Sequence, residues 1–265
     1  MDTQAIRARM PVLVADHVPR NVRTFKFNIF DGQPKVSTWG FHIDPKPFEA
    51  KVIADTGEAI VVKIGRAEFA VLDRTLLTEV PVEGAKVQVQ PYARRRFDGL
   101  RAVTPEERTE YAADGTPYTV QTHVLGSAPA KLPLPQPRCP ELQELINQLE
   151  QLPAPDGFRH ITHLLVDAGA RDFAVVDPLP DDIIKTPPTI SFTVATAKFQ
   201  GQVTLLYERA DDLYAIELNR DGELVERIDQ VFFDSLGETL EQLIDDGSWR
   251  RIRVQCLSGS KPTRH

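Results

Sequence analysis

His160, His163 and Asp167 stand at i, i+3 and i+7 in a segment whose pattern predicts a helix over 157–168, which would set three metal-competent side chains along one face. They form the best metal candidate in the chain. A plainer reading competes with it, because Phe158, Ile161, Leu164 and Leu165 supply the same helix with an apolar face and leave the histidines on its polar side. A tight site also needs a fourth ligand in defined geometry, and Asp181 and Asp182 offer only loosely spaced ones. The expectation is therefore no metal and no cofactor. Nucleophilic chemistry is represented by Cys139, whose neighbour Arg138 could favour the thiolate, and by Ser191 and Ser235, neither in a GxSxG elbow. Neither GxxxxGK[ST] nor GxGxxG occurs, so the two usual glycine-rich phosphate cradles are missing. The carboxylate pairs Asp211-Asp212 and Asp245-Asp246 flank predicted elements, where acids serve as caps and turns. On these grounds the chain is expected not to be an enzyme and to have no catalytic residue.

Two clusters suggest binding instead. Tyr92, Arg94, Arg95, Arg96 and Arg101, with Phe97 among them, combine cations for phosphates with rings for stacking, the residue types that nucleic acid requires. The second cluster is acidic. The 265 residues carry 38 acidic and 31 basic side chains, a formal −7, but residues 1–130 sum to +1 and 131–265 to −8. Between Glu208 and Asp246 thirteen acids face three bases, and the chain then turns basic at Arg250, Arg251, Arg253, Lys261 and Arg264. Such a surface could imitate phosphates or occupy a basic groove on a partner, although interspersed core residues also fit solubility alone. Phe232 and Phe233 are adjacent, so in extended chain one must face away from the core. The candidate partner contacts are Asp229, Phe233, Asp245, Asp246 and Trp249.

These side chains must be held by elements that the pattern outlines. The run of Pro129, Pro133, Pro135, Pro137 and Pro140 interrupts both helix and central strand, so a linker is placed at 129–140. Before it, at 1–128, the reading is a β-rich small barrel. FKFNIF at 25–30 is expected to form a hairpin with 35–41, and further strands are expected at 48–54, 59–64, 68–72 and 86–90 with a helical turn at 73–80. Thr104, Pro105 and Glu107 read as a helix start, and 118–125 as a strand. After the linker, 141–258 reads as an α+β domain: helices at 140–152 and 157–168, extended chain at 172–176, a meander at 189–197, 202–208, 213–218 and 223–232, a helix at 235–244 and a last strand at 249–257, followed by a flexible tail at 259–265. Two distant cysteines, no signal-like start and no apolar run of spanning length suggest reduced thiols and a cytoplasmic location without membrane insertion.

The segment FEAKVIADTGEAIVVKIGRAEFAVLDRTLLTEVPVEGAKVQVQPY, residues 48–92, resembles the KfrB-type domain of accessory proteins of conjugative plasmids. It has that domain's order of parts: a strand ending in Asp55-Thr56-Gly57, a Val-Val-x-x-Gly strand, an extended run to Asp73, a leucine turn, and Gly84 opening a Val-x-Val-x-x-Tyr strand. Lys63 and Leu72 depart from the Gln and His common in that family. The resemblance implies a small barrel and a gene on a mobile element. Fertility-inhibition factors of similar size work there by binding a transfer-machinery protein such as the coupling ATPase. The leading expectation is such an inhibitor of conjugation, non-enzymatic and acting on a protein with a basic surface. A DNA-binding maintenance accessory and a metal-dependent hydrolase at His160 and His163 are the alternatives.

Overall fold

The computed structural model describes residues 1–124 and 128–258; Leu125 of the strand predicted at 118–125 and the tail at 259–265 lie outside them. The chain is α+β with mostly antiparallel sheets. It divides into two compact units, the first made of 1–35, 43–93 and 249–265 and the second of 36–42 and 94–248. This corrects the linear division into 1–128, 129–140 and 141–258. The last strand returns to the N-terminal sheet, and the proline run is built into the second unit, where Ala130, Leu132 and Cys139 are buried.

In the first unit, Asp2 caps α1 (Thr3–Leu13) by accepting from the Gln4 and Ala5 amides. No helix was predicted there. β1 (Lys26–Phe30) is followed by β2 (Lys35–Val36) and β3 (His42–Ile43), a two-stranded ladder at the two points where the chain leaves and re-enters this unit, and then by β4 (Phe48–Asp55), β5 (Ala59–Gly65), β6 (Glu68–Asp73) and β7 (Lys86–Gln90). The main sheet has the order β1-β6-β5-β4-β7-β15, with β15 at Arg253–Ser258. β1 runs parallel to β6, correcting the expected hairpin with 35–41. The pairing sets Ile29 among Ile6, Met10, Val14, Val61, Phe69 and Val71, where α1 buries its apolar stripe. The opposite side of the sheet holds Val52, Ile60, Val62, Leu72, Val87, Val89, Ile252 and Val254. Burial on both faces explains why β5 and β6 read as continuous apolar runs. A parallel bridge between Leu77 and Ile252 brings the chain just after β6 to the start of β15.

The second unit opens with a hairpin of β8 (Glu106–Tyr111) and β9 (Pro117–Thr122). Here the helix expected at Thr104 is corrected to strand. The turn at Asp114-Gly115, with Thr116 donating to the Asp114 carboxylate and Gly115 at φ +83°, closes a hairpin that outcompetes the cap signal. α2 (Pro140–Gln151) follows, with Pro140 in its first turn and Leu142, Leu145, Ile146 and Leu149 buried. Then come α3 (Ile161–Asp167), β10 (Arg171–Val176), β11 (Thr189–Ala195), β12 (Gln200–Glu208), β13 (Leu213–Arg220), β14 (Glu223–Val231) and α4 (Leu236–Ile244). The sheet runs in chain order from β10 to β14, and its inward residues Ile190, Phe192, Val203, Leu205, Ile216 and Leu218 share one core with the helices. Asp221 and Gly222 both take positive φ, the backbone of a two-residue hairpin turn.

Candidate functional site

At the entry to α3 the residues that invited a metal reading are drawn into a different arrangement. Asp156 accepts from the amides of Phe158 and Arg159, both at 2.8 Å, and this tight turn aims the Arg159 side chain inward. The guanidinium is fully buried and meets three carboxylates. It donates from Nε to Asp156 at 2.8 Å, from Nη1 to Asp167 at 2.9 Å and from Nη2 to Asp245. The loop before α3, the last residue of α3 and the residue capping α4 are thereby tied to one cation. Burial by itself would lower the Arg159 pKa, but the charges of Asp167, Asp245 and Asp156 outweigh it and hold the group firmly protonated. Burial would likewise raise Asp156, yet Arg159 and the two amides keep its carboxyl below the ordinary range.

The predicted helix over 157–168 is shorter than expected. His160 precedes it as the capping residue, its ring centroid 5.4 Å from that of His163, while Asp167 at the other end is taken by Arg159. The His160 amide donates to His163 Nδ1 at 3.1 Å, which leaves the proton of the neutral ring on Nε2 and takes away the lone pair that a metal would use. Burial, then the positive charges of His160, Arg94 and Arg159, push His163 down to about 3; burial and Arg94 lower His160. Among the described residues no three His, Cys, Asp or Glu side chains are placed to hold a metal ion. Cys139 is buried at the start of α2 and its thiol donates to Glu141 at 3.3 Å; burial raises its pKa, and the neighbouring carboxylate adds to the effect. Such a thiol is a poor nucleophile.

The arginine cluster is dispersed. Arg94, expected at the surface, is fully buried: it donates to the carbonyls of Phe158 at 3.1 Å and His42 at 3.4 Å and lies 4.3 Å from the centroid of the Phe158 ring. Arg95 donates to the Gly99 carbonyl, Arg96 pairs with Asp98 at 3.2 Å, and Arg101 bridges back to Arg95 in a small antiparallel contact. Tyr92 belongs to the other unit, where its ring packs edge-on to Trp249 at 4.7 Å.

The proposed partner contacts also separate. Asp245 is corrected from a surface acid to a ligand of Arg159, withdrawn because the buried guanidinium needs a counter-charge. Asp246 accepts from the amides of Ala197 and Ser248, both at 2.9 Å, and so braces a loop. Trp249 is half-buried in the first unit with Arg250 over its ring. Asp229 and Phe233 remain exposed, the former accepting from Arg227 Nε at 2.6 Å. Arg227 also meets Glu217, and Glu208 at 2.5 Å, so one cation stands among three anions on the open face of the sheet.

Comparison with protein-family models, curated proteins and solved structures gives no match.

Two features escape the sequence reading. Trp39 is 84% exposed on a turn braced by Ser37 Oγ, which accepts from the Trp39 and Phe41 amides. No local pattern distinguishes such a tryptophan from a core one. The other is that β14 lies at the sheet's edge, with Glu223 to Arg227 all exposed, a consequence of strand order that periodicity does not carry. No helix among the described residues is long and apolar enough to cross a membrane.

Proposed function

We propose that this protein is a non-enzymatic inhibitor or regulator that binds a protein partner with a basic surface through its second unit. In the setting implied by the KfrB-type resemblance, it acts in the cytoplasm on the transfer machinery of a conjugative element, with a coupling ATPase as the first candidate. The observation that carries this reading is the division of charge: the first unit sums to +6 and the second to −13. A domain so far from neutrality attracts opposite charge and speeds encounter with a basic partner. The small-barrel description of the first unit belongs to the same proposal. It is supported by the Leu77–Ile252 bridge and by the single apolar cluster on that side of the sheet.

Co-purification of the tagged full chain from cells carrying a conjugative system tests the reading, together with the frequency of plasmid transfer. Retention of a transfer-machinery protein and reduced transfer are expected. Both effects should weaken when Glu226 and Asp229 are changed to Lys. Capture indifferent to those changes would sink the electrostatic argument. The +6 of the first unit, with Arg250, Arg251 and Arg253 exposed, favours one second reading, DNA binding by that unit rather than by Arg94–Arg96. A gel shift of the full chain that disappears with Arg251→Glu and Arg253→Glu would support it.

A further inference from the structure

We infer that β14 is a docking edge, to which a partner adds an extended, basic segment as a sixth strand of the second unit's sheet. This rests on the protein-binding reading and specifies how it works. An edge strand leaves alternate backbone N–H and C=O groups pointing outward, ready to pair with another chain. Directly after the sheet's other edge, β10, stands Asp177, whose carboxylate holds the amides of Arg138 and Cys139, so chain leading into α2 already lies against that end. β14 has apolar side chains near both ends: Leu224 and Val225 are 56% and 54% exposed, and Phe232 and Phe233, just beyond the strand, 60% and 56%. Between and beside them stand the exposed acids Glu223, Glu226, Asp229 and Asp234.

Charge selects the occupant. Pairing β14 with itself in a second copy would bring these acids together, and the three carboxylates around Arg227 add to the repulsion. A basic extended segment would meet the carboxylates with its cations, Glu226 on the face of Leu218 and Asp229 on that of Arg227, and the exposed Leu224 with an apolar group. Register shifts occur near both ends of the β13–β14 ladder, with Gln230 at positive φ, and they confine regular pairing to the middle of the strand. A short partner segment is therefore enough.

The test uses the full chain and an eight-residue peptide alternating Lys and Val. Its controls are the same peptide with four consecutive central amides N-methylated and a Glu223→Lys, Glu226→Lys variant. Amide hydrogen exchange and fluorescence anisotropy are the readouts. Protection over 223–231 is expected on adding the peptide, with at least tenfold weaker binding for the methylated peptide, which keeps its charge but loses donors on both sides, and for the variant. Equal binding of the methylated peptide, or no protection at β14, would overturn strand addition. Self-association that protects β14 without peptide would overturn it in favour of a second copy. If strand addition fails while capture of a partner from cells still depends on Glu226 and Asp229, the wider reading stands. If that capture is also charge-independent, both fall.

Discussion

At the scale of single residues, the chain spends its most reactive-looking groups on its own architecture. Arg159 shares its charge among Asp156, Asp167 and Asp245 in a buried site, and Asp245 lies at the C-terminal end of α4, where a carboxylate is unfavourable beside the helix dipole unless a cation offsets it. Replacing Arg159 with Met leaves three buried carboxylates without their partner. The expected loss is about 3–5 kcal/mol, read as a lowered denaturant midpoint. His163 makes a pH prediction with a definite sign. Its pKa is depressed to about 3 in the folded chain by burial and by the facing charges of His160, Arg94 and Arg159, so below about pH 6.5 the unfolded state binds a proton that the folded state refuses. Stability is fully present above that pH and falls by up to about 1.4 kcal/mol per pH unit on acidification toward pH 3. Urea titrations across this range should show the slope reduced in His163→Asn, whose amide oxygen can still accept from the His160 amide. Asp156, held below the ordinary carboxylate range, contributes stability that is present above its unfolded pKa and is lost as pH falls through its folded one. Sequence spacing identified His160, His163 and Asp167 as noteworthy. It could not say that Arg159, between Asp156 and His160, takes Asp167 away from the histidines.

The elements were largely legible. Strands expected at 48–54, 59–64, 68–72 and 86–90 are observed at 48–55, 59–65, 68–73 and 86–90, because turn glycines and β-branched runs act locally. What failed was pairing: β1 leaves its neighbour for β6, and β15 crosses the whole chain to reach β7. A chain ending at Ser248 would therefore harm the N-terminal sheet. Loss of Ile252 and Val254 from its core should cost about 4 kcal/mol, at roughly 2 kcal/mol per buried side chain. Hydrogen exchange should accelerate at β7 and β4 rather than in the meander. Within the meander, Gly201 is required by close approach: a Cβ there would lie 2.3 Å from the Asn219 carbonyl oxygen and 2.8 Å from the Phe199 ring. Gly201→Ala is expected to cost more than 2 kcal/mol, since backbone on the paired strand must shift. Gly115→Ala, with φ +83° and open space around it, should cost only about 1 kcal/mol of backbone strain. Thermal melts of the two variants compare these directly.

For the whole molecule, the decisive quantity is where the charges end up. Read along the chain, the halves carry +1 and −8; by unit they are +6 and −13, because the five basic residues of 249–265 count with the first unit. Partner capture by the second unit should therefore fall steeply between 0.1 and 1 M salt, as the screening length shrinks from about 10 Å to about 3 Å. Pull-downs at graded salt measure this directly. The sequence by itself determined the α+β class, most element positions and the presence of a concentrated acidic stretch, since each depends on residues a few positions apart. Only the tertiary structure decided which strands neighbour one another, which acids are consumed by Arg159 and which remain on the edge of β14. Those outcomes depend on contacts between residues far apart along the chain, such as the Val254 amide donating to Thr78 Oγ1 across 176 positions, and are selected by burial and charge pairing in three dimensions that no local pattern records.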